Sequence, residues 1–167
     1  MDLAAFKDYS IFAGLDDTEI KLFIDISTLV NVKKGETFIV EGELGDSIFL
    51  LLNGEVEVNQ ALTLSMNKSE TDNREKAITK LSSDYKLFFG EMSLFNEGDR
   101  RTASIKALTD CKLLKIGKDE LYEICDTHSE IGYKVMQNLC RTLCRHLVKA
   151  NQNVLKLTTA FSLILER

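Results

Sequence analysis

A chain of 167 residues with 44% apolar and 28% charged content has the makings of one globular domain with a core of its own. Its 21 basic against 26 acidic residues leave a net charge of −5, which argues against non-specific nucleic-acid binding, because that draws on clustered positive charge. No run approaches a membrane span, and the opening MDLAAFKDYS lacks the charged-then-apolar pattern of a secretory signal, so the cytoplasm is the expected compartment.

Residues 2–27 read as helical, with a break over 10–14 and a fresh N-cap at Asp16 or Asp17. From Leu29 the period changes to two. Val30 and Val32 alternate with polar residues, Lys33 to Glu36 makes a turn, and a strand is expected over 37–40. After a glycine-containing turn over 41–46, residues 47–52 form an apolar strand. Asn53-Gly54 is a tight hairpin signal, and Val56 and Val58 then alternate again. The polar stretch 64–76, LSMNKSETDNREK, has no periodicity and reads as a long hairpin tip or insertion. Strands over 77–81, 103–107 and 111–116 follow, with Thr109-Asp110 as a turn. Short strands with a turn every few residues predict an all-β barrel or jelly roll.

Lys118, Asp119 and Glu120 open a short helix to about Cys125, and Ser129 begins a helix that runs to the end. Along it, apolar residues fall at Val135, Leu139, Leu143, Leu147, Ala150, Val154, Leu157, Phe161 and Ile164. Their later spacing, alternating three and four, is that of a coiled-coil seam. Arg141, Arg145, Lys149, Asn153 and Lys156 form the opposite face. A helix of about 37 residues is about 55 Å long, more than one small barrel can cover, so a partner helix is expected. The four cysteines, Cys111, Cys125, Cys140 and Cys144, make no CxxC pair and read as buried reduced thiols. His146 is two residues from Cys144 and points away from it on a helix, so no metal site is expected. His128 and His146 are the two histidines, too few for a jelly-roll metal enzyme, and no catalytic residue is nominated.

The segment 89–107, FGEMSLFNEGDRRTASIKA, carries the chemistry. Gly90-Glu91 puts a carboxylate directly after a glycine. Gly98 follows, then the basic pair Arg100-Arg101 and the small residues Thr102-Ala103. Glycine lets a backbone N–H approach an anion, and a guanidinium is the best side chain for a buried phosphate. A neighbouring carboxylate can accept from ribose hydroxyls.

In this order the string resembles the phosphate-binding cassette of cyclic-nucleotide-binding domains, the family of bacterial catabolite activators, kinase regulatory subunits and cyclic-nucleotide-gated channels. The family's Phe-Gly-Glu-aliphatic-small-Leu falls on residues 89–94, and its Arg-small-Ala falls on Arg101, Thr102 and Ala103. Arg100 is not the phosphate arginine, because Thr102-Ala103 must follow that residue. The proline common before the arginine in eukaryotic members is absent, as it is from the whole chain, and Asp99-Arg100 stands there instead. Phe12-Ala13-Gly14-Leu15, Gly35-Glu36, Glu41-Gly42, Gly45-Asp46 and Asn53-Gly54 also resemble family positions. Their glycines read as corner residues that supply positive φ.

The resemblance implies an α+β fold: an eight-stranded antiparallel β-roll (a double-stranded β-helix or jelly roll) with N-terminal helices and a long C-terminal helix. Residues 1–27 would hold the first helices, 28–118 the nucleotide-binding roll and 119–167 the C-terminal helices, including the dimerisation helix. It implies a ligand, cyclic AMP in preference to cyclic GMP, and no other cofactor. Arg101 would pair with the phosphate, backed by N–H groups near Gly90, Thr102 and Ala103 and by the N-terminus of a short helix at Glu91-Met92-Ser93. Glu91 would accept from the ribose 2′-hydroxyl. The Thr102 hydroxyl would reach the phosphate or a guanine amino group, and Asn151 would lie against the base. No helix-turn-helix follows the long helix. The expected partners are therefore the nucleotide, a second copy of the chain through that helix and an unidentified downstream protein, with no DNA and no membrane. The rival expectation is a ligand-free scaffold or dimerisation module with the same fold.

Overall fold

Eight antiparallel strands in two four-stranded sheets make up the roll, and the computed structural model describes residues 3–61, 75–95 and 97–165. Numbered in chain order, the strands are β1 Thr28–Val32, β2 Thr37–Ile39, β3 Ser47–Asn53, β4 Glu55–Ala61, β5 Glu75–Ser82, β6 Phe88–Phe89, β7 Ser104–Ala107 and β8 Cys111–Gly117. One sheet runs β1-β8-β3-β6 and the other β2-β7-β4-β5. Three α-helices flank them: α1 Asp17–Asp25, α2 Lys118–Thr127 and α3 Ser129–Leu165. The stretch 64–76 lies outside the described residues except for its last two, which belong to β5.

The unbroken apolar run of β3 has a physical cause, since both faces of the strand are covered. Ile48 and Leu50 pack with Phe88, Leu114 and Ile116 against the helices, in a core that also holds Phe12, Ile20, Phe23, Leu121, Val135 and Leu139. Phe49 and Leu51 point the other way, to Val32, Val56, Phe89, Ile105 and Leu113 between the two sheets. The N-terminal segment seals the first core. Tyr9, 1% exposed, donates its hydroxyl to the Leu51 carbonyl at 2.6 Å. The expected break over 10–14 holds a 3-10 turn, Ser10–Phe12, because Ile11 and Phe12 are buried and draw the chain inward. Asp16 caps helix α1. The Asp16 side chain accepts from the Glu19 N–H and the Glu19 side chain accepts from the Asp16 N–H, a reciprocal cap worth about 1 kcal/mol.

Asn53-Gly54 does not turn a hairpin. β3 pairs with β6 and β8, whereas β4 pairs with β5 and β7, so the chain steps from one sheet to the other at this dipeptide. Gly54, at φ 102°, makes the corner, and a Cβ there would stand 2.6 Å from Cys111 Sγ. The dipeptide signals backbone handedness, which a corner uses as readily as a hairpin does.

Helix α3 has two regimes. Its first turns belong to the barrel: Val135 and Leu139 are buried, Asn138 Nδ2 donates to the Ile11 and Ala13 carbonyls at 3.1 and 2.8 Å, and Lys134 pairs with Glu19 at 2.9 Å. From Leu147 onward the described residues of α3 are exposed. Cys111 and Cys125 are buried as expected, but Cys140 and Cys144 are exposed. Those two share a helix face turned away from the barrel, so helical spacing gave their common side but not its burial. Among the described residues, no helix is long and apolar enough to cross a membrane, and no group of three or more His, Cys, Asp or Glu side chains could hold a metal ion.

Candidate functional site

The chain between β6 and β7 brings a cation beside a cavity. Gly90 follows β6 at φ 90°, ψ 0°, a left-handed conformation that favours glycine. One 3-10 turn, Glu91–Leu94, comes next, and the Ser93 hydroxyl donates back to the Gly90 carbonyl at 2.8 Å. The short helix expected at this point is thus a single turn of four residues. So few aligned peptides make no useful dipole, and the positive charge of the site comes from a side chain.

That side chain is Arg101, and the turn between β2 and β3 fixes its backbone. The Arg101 N–H donates to the Glu43 carbonyl at 2.8 Å, the Gly42 N–H to the Arg101 carbonyl at 2.9 Å, and the Gly45 N–H to the Asp99 carbonyl at 2.6 Å. The guanidinium runs inward and the residue is 8% exposed. Nη1 donates to the Ser47 carbonyl at 2.8 Å, the Ser93 hydroxyl at 2.9 Å and the Gly90 carbonyl at 3.2 Å, and Nη2 to the Ser47 hydroxyl at 3.1 Å. Its Cζ also lies 5.8 Å from the centre of the Phe49 ring.

These partners are all neutral. Among the described residues, no carboxylate comes within ion-pairing distance of Arg101. Burial pulls its pKa down, and the charges of Asp46, Glu91 and Glu43 oppose that through space. A guanidinium stays protonated regardless, so the site keeps a positive charge that contact does not neutralise.

Two glycines make room for it. A Cβ on Gly90 would stand 2.6 Å from Arg101 Nη1, and one on Gly45 would overlap Ser93 and stand 2.8 Å from Arg101 Nε. Gly45 is not among the positive-φ glycines. The expectation that it supplies a left-handed corner is therefore corrected: its role is space.

The cavity measures about 390 Å³, within the range of about 300–1,000 Å³ usual for small-molecule sites. Seven of the eight residues nominated from the sequence line it: Gly90, Glu91, Met92, Ser93, Arg101, Thr102 and Ala103. Ile39, Val58, Leu81 and Ile105 supply apolar wall. Glu91 is 4% exposed. The Thr102 hydroxyl faces Met92 Sδ at 3.5 Å, and the Thr102 carbonyl accepts from Gln60 Nε2 at 3.3 Å.

Asn151 does not line the cavity and is exposed. Helix α3 contributes His146 and Lys149 instead, and His146 Nδ1 stands 3.3 Å from Glu91 Oε1. A signal for both was present in the sequence. The barrel-facing positions Val135, Leu139 and Thr142 step by four and three, and the same steps continue to His146 and Lys149. Asn151, five residues beyond His146, lies well around the helix from that face.

Residues 29–128 match the family model of the cyclic nucleotide-binding domain. The chain belongs to this family. The domain is 28% identical over 145 residues to the CRP-like cAMP-activated global transcriptional regulator of Mycobacterium tuberculosis, covering 86% of this chain and 58% of that protein. It is 33% identical over 113 residues to a cAMP-dependent protein kinase regulatory subunit of Yarrowia lipolytica, covering 68% of this chain and 26% of that one. The Thermus thermophilus catabolite activator protein superposes on it with a TM-score of 0.73 at 25% identity, over 89% of this chain and 63% of that chain. The chain thus spans less than two thirds of each of these relatives. Within this cyclic nucleotide-binding domain, Arg101 and Glu91 fall inside the matched span, whereas His146 and Lys149 lie beyond it on α3.

Proposed function

We propose that this cyclic nucleotide-binding domain is a regulatory receptor for a 3′,5′-cyclic nucleotide, cyclic AMP in preference to cyclic GMP, and that it signals through α3. The observation that carries the reading is Arg101, a buried guanidinium beside a small-molecule cavity with neutral partners alone. A buried charge of this kind is costly until an anion meets it, and a phosphodiester is an anion with the planar, two-oxygen face that a guanidinium fork matches. Glu91 suits the other half of the ligand. A 3′,5′-cyclic phosphate leaves the ribose 2′-hydroxyl free, and an ionised carboxylate can only accept. The mycobacterial and Yarrowia relatives are both cAMP-linked by name, which supports cyclic AMP. The exposed stripe of Leu147, Val154, Leu157, Phe161 and Ile164 supports a homodimer through α3.

Calorimetric titration of the whole chain with cyclic AMP and cyclic GMP tests this reading. Wild type binds, and Arg101→Ala loses about 3 kcal/mol, or about 100-fold in affinity, because the phosphate loses its charged partner. Thermal unfolding of the same variant separates lost binding from lost fold. A wild-type protein that takes up neither nucleotide establishes the ligand-free scaffold instead.

A further inference from the structure

Glu91 has one neighbour that its local sequence does not announce. Its side chain is 5% exposed, it lines the cavity, and His146 Nδ1 stands 3.3 Å from its Oε1. Among the described residues, no other polar group is recorded within hydrogen-bonding or ion-pairing reach of that carboxylate, and the Arg101 charge acts on it through space. Burying a carboxylate is expensive unless its oxygens are occupied. His146 Nδ1 lies within ion-pairing distance of one oxygen, and Oε2 faces no partner among the described residues.

The imidazole belongs to a helix whose base is fixed. Val135 and Leu139 are embedded in the core three and two turns before it, and Asn138 is bonded to the N-terminal segment. His146 and Lys149 are the α3 residues that line the cavity, beside the point where the exposed stripe begins at Leu147. A glutamate side chain free to rotate loses rotamer entropy on binding a ligand, and one confined by burial beside an imidazole has less to lose.

We infer that His146 is the positioning residue for ribose recognition: it holds Glu91 Oε1 so that Oε2 is presented to the ligand's 2′-hydroxyl. The inference rests on the cyclic-nucleotide reading of the cavity. It makes discrimination between ribose and deoxyribose depend on where α3 lies. Because such coupling is reciprocal, a ribonucleotide in the cavity also favours the helix position that keeps His146 in place.

The test uses the whole chain and two probes, cyclic AMP and its 2′-deoxy analogue, titrated into wild type, His146→Ala, His146→Gln and Glu91→Ala. Wild type prefers the ribonucleotide by about tenfold or more, the worth of a hydrogen bond to a charged group. Glu91→Ala abolishes that preference. His146→Ala weakens cyclic AMP binding several-fold and leaves the deoxy analogue unchanged, so the ratio narrows. His146→Gln, whose amide can still donate to Oε1, restores part of it. A ratio that stays at the wild-type value in His146→Ala overturns the inference and leaves the receptor reading standing. Equal weakening of both probes also overturns it, since that marks general packing. No binding of either probe to wild type overturns the receptor reading and the inference together.

Discussion

Gly45 and Gly90 face the Arg101 guanidinium from two sides, so a methyl group at either position competes with the cation for space. The two glycines differ in kind. Gly90 also needs its positive φ, whereas Gly45 needs room alone, which makes Gly45→Ala the cleaner probe. That variant displaces Ser93 and Arg101 and costs about 1–3 kcal/mol of overpacking, with nucleotide affinity falling by at least about tenfold. Gly14→Ala is its control. Gly14 has φ 82° and no atom within 4 Å of a built Cβ, so the change costs about 1–2 kcal/mol of backbone strain and leaves affinity untouched. Calorimetry beside thermal melts separates the two, and equal effects on affinity would refute the spatial role of Gly45. Tyr9 makes a second, independent residue-level case. Burial pushes its pKa from 10.0 up to about 12, because the hydroxyl that donates to Leu51 must keep its proton. The folded value lies above the unfolded one, so this contribution is complete below about pH 10 and is lost as pH rises through about 12. Two units correspond to about 3 kcal/mol at most. Denaturant midpoints measured at about pH 9 and pH 11 therefore fall more steeply for wild type than for Tyr9→Phe, and parallel falls in the two proteins would remove Tyr9 as the cause.

Helix α2 grips the segment that holds the site. The Lys118 N–H donates to the Asp46 carbonyl at 2.7 Å, Lys118 Nζ pairs with Asp99 at 2.6 Å, and the Tyr122 hydroxyl donates to the Leu94 carbonyl at 2.9 Å. Asp99 sits at φ 51°, unusual for a residue with a Cβ, and its ion pair and the Gly45 bond to its carbonyl hold it there. Gly132 of α3 lies so close to Cys125 that a Cβ would overlap that carbonyl, so α2 and α3 are closely packed where they meet. If signalling runs through α3 as proposed, Tyr122 is the contact that joins the Glu91–Leu94 turn to α2, and Lys118 ties α2 to Asp46 and Asp99 on either side of the site. In the double variant Lys118→Ala and Tyr122→Phe, the nucleotide-induced change of a fluorophore on the exposed thiols Cys140 and Cys144 shrinks while Arg101 still binds phosphate. A full-sized change would mean that the signal takes another route. Little of this joint was legible in the sequence, for a physical reason. Alternation pointed to β1 and β4, the run 47–52 became β3 because both its faces are buried, and the two-residue β6 gave no strand signal. Pairing is a long-range property, however, and the Asn53-Gly54 signal could not say that its flanking strands belong to different sheets. Arg101 was identifiable from the string around it. Its partner Ser47 is 54 positions away, a contact that no local spacing encodes.

At the scale of the whole molecule, the unusual feature is how abruptly α3 changes its surroundings. Val135 and Leu139 are 0% and 1% exposed, whereas Leu147, Val154, Leu157, Phe161 and Ile164 are 59–69% exposed along one helix. An apolar stripe of that kind, spaced by three and four, is unfavourable in water, and the proposed homodimer would cover it with a like helix. Replacing Val154 and Phe161 by glutamate puts charge in the centre of that seam. Neither residue touches the barrel, so thermal unfolding of the roll stays within about 0.5 kcal/mol of wild type. Light scattering then reads about one chain mass for the variant and two for wild type, and a monomeric wild type at micromolar concentration would end the dimer proposal. The same pair of proteins tests whether assembly and ligand speak to each other. If pairing of the stripe steadies α3, and α3 carries His146 to Glu91, the monomeric variant binds cyclic AMP more weakly than wild type although every cavity residue is intact. Linkage then requires that cyclic AMP tighten the wild-type dimer, visible as a dissociation midpoint moved to lower protein concentration when nucleotide is present. Equal affinity in monomer and dimer, with a midpoint indifferent to nucleotide, would confine the ligand's effect to the roll and leave α3 as a passive tether.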